Sequence, residues 1–166
     1  MVNTRTYLLF VCSIFLCVLS SGAQDRQPVD LTTIDGVLDE LLDQITIENG
    51  EEMDTSSIRN LFFAGARLAV ADSGMAESVS IDDFLVLLMD PYYAAGYEEK
   101  ELYKKVDQYN GIAQVFQTFY GCDSEGTDER GINSYQLTYY AERWWIVSML
   151  WTIESAANPI PERYLE

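Results

Sequence analysis

The chain has 166 residues, enough for one domain, and sets 27 acidic residues against 10 basic ones for a formal charge of −17. Such a surface repels phosphate backbones and anionic lipid heads, which argues against nucleic-acid binding and peripheral membrane attachment. Histidine is absent, so Ser-His-Asp and Cys-His catalysis, histidine general bases and histidine metal sites are excluded. Any chemistry must use carboxylate, tyrosine, lysine or arginine.

At the N-terminus Arg5 precedes an apolar run, Tyr7 to Leu19, that is too short to span a bilayer, and the small residues Ser21, Gly22 and Ala23 follow. The pattern predicts a cleaved signal peptide over 1–23 and export to the periplasm or the medium, with no membrane contact after cleavage. Cleavage removes Cys12 and Cys17 and leaves Cys122 alone, so no intramolecular disulfide is available where one could form. Packing must stabilise the single domain 24–166, and a chain that is 48% apolar and 13% aromatic has the material for a core.

From Leu31 apolar residues recur at Ile34, Val37, Leu38, Leu41, Leu42 and Ile45. This is a helical stripe, with Asp30 placed to cap its start. A polar break at 48–54 leads to a second short helix expected around Ser57 to Phe63, and ARLAVAD reads as a strand. Ser80 and Asp83 form a capping pattern ahead of Phe84, Leu85 and Leu88, which opens a third helix that must stop before Pro91. The connection 90–100 holds Tyr92, Tyr93 and Tyr97, placed either over a pocket mouth or against a helix.

Asn110-Gly111 between LYKKVDQY and IAQVFQTFY predicts a two-residue hairpin, because that pair reaches positive φ at low cost. The register then sets Tyr109 opposite Ile112, Asp107 opposite Gln114, Val106 opposite Val115, Lys104 opposite Gln117 and Leu102 opposite Phe119. The side with Leu102, Val106, Ala113, Val115 and Phe119 is the more apolar one. Segment 122–130 is an acidic loop whose spacing fits no standard calcium site, so no metal site is expected. A last hairpin turns at Ala141-Glu142. Simple alternation puts Tyr135, Leu137, Tyr139, Trp144, Ile146 and Ser148 on one face and Gln136, Thr138, Trp145, Val147, Met149 and Trp151 on the other. Both faces are too apolar for open water and should be covered.

Helices followed by long hairpins make an α+β plan in which a curved antiparallel sheet wraps about three N-terminal helices. Three stretches, LFFAGARLAV with SIDDFL, KKVDQYNGIAQVFQTFYG, and RGINSYQLTYYAERWWIVSMLWTIE, resemble the nuclear transport factor 2-like superfamily, in particular its SnoaL-like group of secreted or periplasmic bacterial proteins. The resemblance implies a cone-shaped, cystatin-like roll with a pocket between sheet and helices, and often a homodimer built on the outer sheet face. It names no single chemistry, since relatives include isomerases, dehydratases and epoxide hydrolases beside domains that only bind or assemble.

Three readings follow. The first is non-catalytic binding of a small apolar or aromatic molecule by Tyr109, Tyr135, Tyr139, Trp144 and Ser148, which join aromatic walls to hydroxyls. The second is a cofactor-independent isomerase, dehydratase or epoxide hydrolase, with Asp107 as base and Tyr109 or Tyr135 as proton donor. The third is a dimerisation or partner-binding surface formed by Trp145, Met149 and Trp151. No motif calls for a cofactor.

Overall fold

A computed structural model describes residues 28–72 and 74–166. The expected signal peptide and its cleavage site lie outside these residues. Helix α1 spans Ile34–Ile45 and buries the whole expected stripe. Its cap is Thr33, whose Oγ1 accepts from the Gly36 N–H at 3.0 Å, rather than Asp30. Asp30 instead accepts from the Thr32 N–H and hydroxyl, shaping the turn that feeds the helix. Helix α2 is earlier than expected, at Thr55–Arg59, because the Asp54 carboxylate accepts from both Ser56 N–H and Ser57 N–H and starts it there. Phe62 and Phe63 therefore open strand β1, Phe62–Asp72.

Strand β2, Met75–Val79, pairs back on β1 and was not foreseen, since every residue but Val79 is exposed and no apolar alternation marks it. Helix α3, Ile81–Leu88, starts on Ser80 as expected, with the Asp83 N–H donating to Ser80 Oγ at 3.1 Å. It ends before Pro91, which opens its own short helix α4, Pro91–Ala94. Strands β3 (Tyr97–Tyr109), β4 (Ile112–Asp123), β5 (Asp128–Tyr140) and β6 (Arg143–Ile153) complete the chain's long hairpins.

The six strands form one curved sheet in the order β2-β1-β6-β5-β4-β3, an α+β architecture. It is mixed rather than wholly antiparallel, because β1 runs parallel to β6. The inner face carries Leu68, Ala113, Val115, Tyr135, Leu137, Ile146 and Met149, and α1 and α3 fill the concavity with Leu38, Leu41, Phe84 and Leu88. Fully burying each large aliphatic side chain stabilises the fold by about 1.5–3 kcal/mol, and the one cysteine among the described residues, Cys122, is free. On the outer face the chain end returns over β4. Tyr164 stacks on Phe116 with ring centroids 5.2 Å apart, and Ile160 is buried.

Two β-bulges decide what faces inward. The hairpin register holds as expected from Tyr109 to Tyr103, but Leu102 is an extra residue, so Glu101 and not Leu102 sits opposite Phe119. In β6 the extra residue is Val147, between Ile146 opposite Leu137 and Ser148 opposite Gln136. A one-residue slip moves every later side chain to the other face. Glu99 thus points into the concavity. Met149 and Trp151 also turn inward, and Ser148 turns outward, against the simple alternation.

Candidate binding pocket in the cone

The bulge at Leu102 places Glu99 in a row with Gly121 and Glu129 across β3, β4 and β5. Gly121 has a steric reason to be glycine, since a Cβ there would meet the Tyr97 hydroxyl at 2.6 Å. The bare backbone lets the Tyr97 ring lie across β4, and its hydroxyl donates to Glu99 Oε2 at 2.9 Å. From β5, Asn133 Nδ2 donates to Glu99 Oε1 at 2.8 Å. Both oxygens of the carboxylate are thereby held by donors fixed on neighbouring elements.

Around this group lies a pocket of about 170 Å³. The aromatic walls are Phe84 from α3, Tyr93 from α4, Tyr97, Phe119 and Trp151, and the remaining lining is aliphatic apart from Glu99, Glu129 and Asn133. Tyr93 packs edge-on against Tyr97 at 5.4 Å and Tyr92 against Tyr93 at 5.3 Å, while the Tyr92 hydroxyl donates to Asp123. Of the tyrosines of the 90–100 connection, Tyr93 and Tyr97 line the pocket, one of the two placements expected, and Tyr92 packs on Tyr93. A space of this size suits one ring with a small substituent, since an engineered apolar cavity of about 150 Å³ takes benzene.

Burial pushes the Glu99 carboxyl up to about 7, against the lowering effect of its bonds from Asn133 and Tyr97, and the charge of Glu129 adds to the rise. Burial also raises Glu129, and it raises Tyr93 and Tyr97, the latter with help from the neighbouring Glu99 charge. Behind the pocket a hydrogen-bonded chain continues. Asn133 reaches Gln117 Oε1 at 3.5 Å, the Tyr135 hydroxyl donates to the same oxygen at 3.2 Å, and Gln117 Nε2 donates to Glu101 at 2.8 Å. Lys104 closes the chain, 3.1 Å from both Glu101 and Asp35 of α1. Gln117 and Asn133 are fully buried and satisfied, as interior polar groups must be.

The residues singled out from sequence are dispersed. Asp107 lies on the outer face in the row with Gln114, Gln136 and Ser148, exposed on an edge strand, so it is not the buried base that was considered. Tyr109 is 80% exposed at the hairpin tip. Ser148 faces outward and donates to Gln136. Tyr139 and Trp144 meet edge-on at 5.4 Å, but at a separate open groove beside Asp35 and Val106. Tyr135 is buried in the core behind the pocket, where its hydroxyl donates to Gln117. Of the supposed interface residues, Met149 and Trp151 line the pocket, and only Trp145 faces out, edge-on to Phe63 and beneath the Arg143 guanidinium. Glu99, Glu129 and Asn133 were missed as site residues, whereas Tyr93 and Tyr97 had a place over a pocket mouth among the alternatives.

No protein-family model matches the sequence, and no curated protein does. Solved structures with the nuclear transport factor 2-like, or cystatin-like, fold do match, and this is the fold of the chain. A provisionally named dehydratase of the nuclear transport factor 2-like family from Streptomyces avermitilis superposes with a TM-score of 0.59 at 13% identity, covering 76% of this chain and 97% of that one. A provisionally named ketosteroid isomerase from Shewanella frigidimarina gives 0.54 at 16% identity, covering 74% and 96%. A protein of unknown function from Silicibacter pomeroyi gives 0.55 at 19% identity, covering 71% and 90%. Identities at this level bear on fold alone. Among the described residues no helix is long and apolar enough to cross a membrane, and no cluster of side chains has metal-site geometry.

Proposed function

We propose that the protein is an exported binder of a compact, largely apolar or aromatic small molecule, held in the cone pocket with its polar group toward Glu99. The observation that carries this reading is the combination of five aromatic walls with a doubly hydrogen-bonded carboxylate inside a preformed space. Ligand release and native mass spectrometry on protein purified from its own source, together with thermal shifts against single-ring compounds, test it. An occupied protein or a shift lost in Trp151→Ala supports it. An empty protein that no ring compound stabilises contradicts it.

A second reading, carboxylate-dependent proton transfer of the isomerase or dehydratase kind, is favoured by one observation. Glu99 is pushed up to about 7, where a carboxyl both takes and gives protons near neutral pH. Glu99→Gln should abolish any such activity while leaving the binding of a neutral ring compound in place. Export through 1–23 and self-pairing belong to the same proposal. The pairing surface is the outer face with Ile112, Phe116 and Leu150, all exposed, rather than Met149 and Trp151. Light scattering on the 24–166 chain reads the mass directly, and a monomer at micromolar concentration contradicts the pairing.

A further inference from the structure

The charged groups in the pocket lining are of one sign. Its lining includes two carboxylates, Glu99 and Glu129, and no lysine or arginine. Among the described residues, ion pairs of basic side chains lie elsewhere, as for Lys104 with Glu101 and Asp35, Lys100 with Glu98, Arg130 with Glu154, and Arg59 with Asp82. Every element packed around the Glu99 carboxyl fits the same description. Its own strand offers Tyr97, α4 offers Tyr93, β4 offers Phe119, and β5 offers Asn133 and Glu129. The contributions of α1, α3 and β6 are uncharged: Ile45, Phe84, Leu87, Leu88, Met149, Trp151 and Ile153.

Resting on the pocket reading above, we propose that the ligand is an organic cation, an ammonium or quaternary ammonium group on a compact apolar or aromatic body. The faces of Phe, Tyr and Trp rings attract a cation through their quadrupoles, and rings grouped around a carboxylate are the arrangement that recognises alkylammonium groups. The Glu99 carboxylate, half-buried among apolar side chains without a counter-ion, is poorly solvated and feels the charge of the exposed Glu129 in the same lining. A cation between them relieves both costs, whereas an anion adds to them. The upward shift of Glu99 arises first from burial, with a smaller contribution from the charge of Glu129. A neutral ring fits the walls equally well but leaves the carboxylates as they are.

Phenyltrimethylammonium and its neutral isostere tert-butylbenzene form the test pair, measured by NMR titration on the folded chain at pH 8. The inference expects the cation to bind at least about tenfold more tightly than the isostere. It also expects Glu99→Gln to remove most of that preference, Glu129→Gln to remove part of it, and the exposed Glu77→Gln, which reports general surface attraction, to leave it unchanged. Cation affinity should fall as the pH is lowered from 8 to 6 and Glu99 takes up its proton, with the isostere unaffected. If the isostere binds as well as the cation, or the preference survives both pocket substitutions, the inference is overturned and the pocket reading stands. If neither probe binds, both are overturned.

Discussion

At the scale of single residues, Glu99 carries most of the account, and its position has a thermodynamic consequence. Its folded-state value, about 7, lies above the ordinary 4.5, so the folded chain holds that proton more tightly than the unfolded chain does. The resulting stabilisation is complete below the ordinary value and is lost as the pH rises through about 7, a change on the order of 3 kcal/mol. The stability of the wild type relative to Glu99→Gln should therefore fall across that window, as urea unfolding at a series of pH values would reveal. A difference that does not vary with pH would mean the carboxyl is solvated. Gly121 plays the complementary part, because any side chain there drives the Tyr97 hydroxyl off Glu99.

Among the elements, the two hairpins behave differently for a physical reason. Asn110 and Gly111 sit at φ 46° and 83°, values that asparagine and glycine reach readily. Ala141 and Glu142 adopt the same left-handed turn at φ 51° and 63°, where a side chain costs roughly 1–2 kcal/mol. Replacing the pair with Asn-Gly should raise the free energy of unfolding by about 1–2 kcal/mol. An unchanged or lower value would show that Ala141 and Glu142 make compensating contacts. The fold class, the α1 stripe, the Ser80 cap and the first hairpin were legible because each rests on a local chemical preference. The pocket was not, because it depends on the bulges at Leu102 and Val147. EEKELYKK carries charges on both parities and WWIVSMLW carries apolar residues on both, so neither pattern resists a one-residue slip. With the first strand of that hairpin read from Leu102, Glu99 falls in the connection 90–100 and Asp107, the carboxylate within the strand, is taken for the base.

For the whole molecule, a net charge of −17 on a single domain is self-repulsive. Between about 0.01 M and 0.15 M salt the screening length contracts from about 30 Å to about 8 Å, so the thermal midpoint should climb by several degrees over that range. A midpoint indifferent to salt would indicate that the acids are locally compensated. Partial burial in the concavity is how one carboxylate among 27 acidic residues acquires a distinct chemistry. The most direct test of the account is a pH titration of the Glu99 side-chain carboxyl by carbon-13 NMR in the ligand-free protein. The account predicts a midpoint of about 7; a midpoint at the ordinary 4.5 would contradict it.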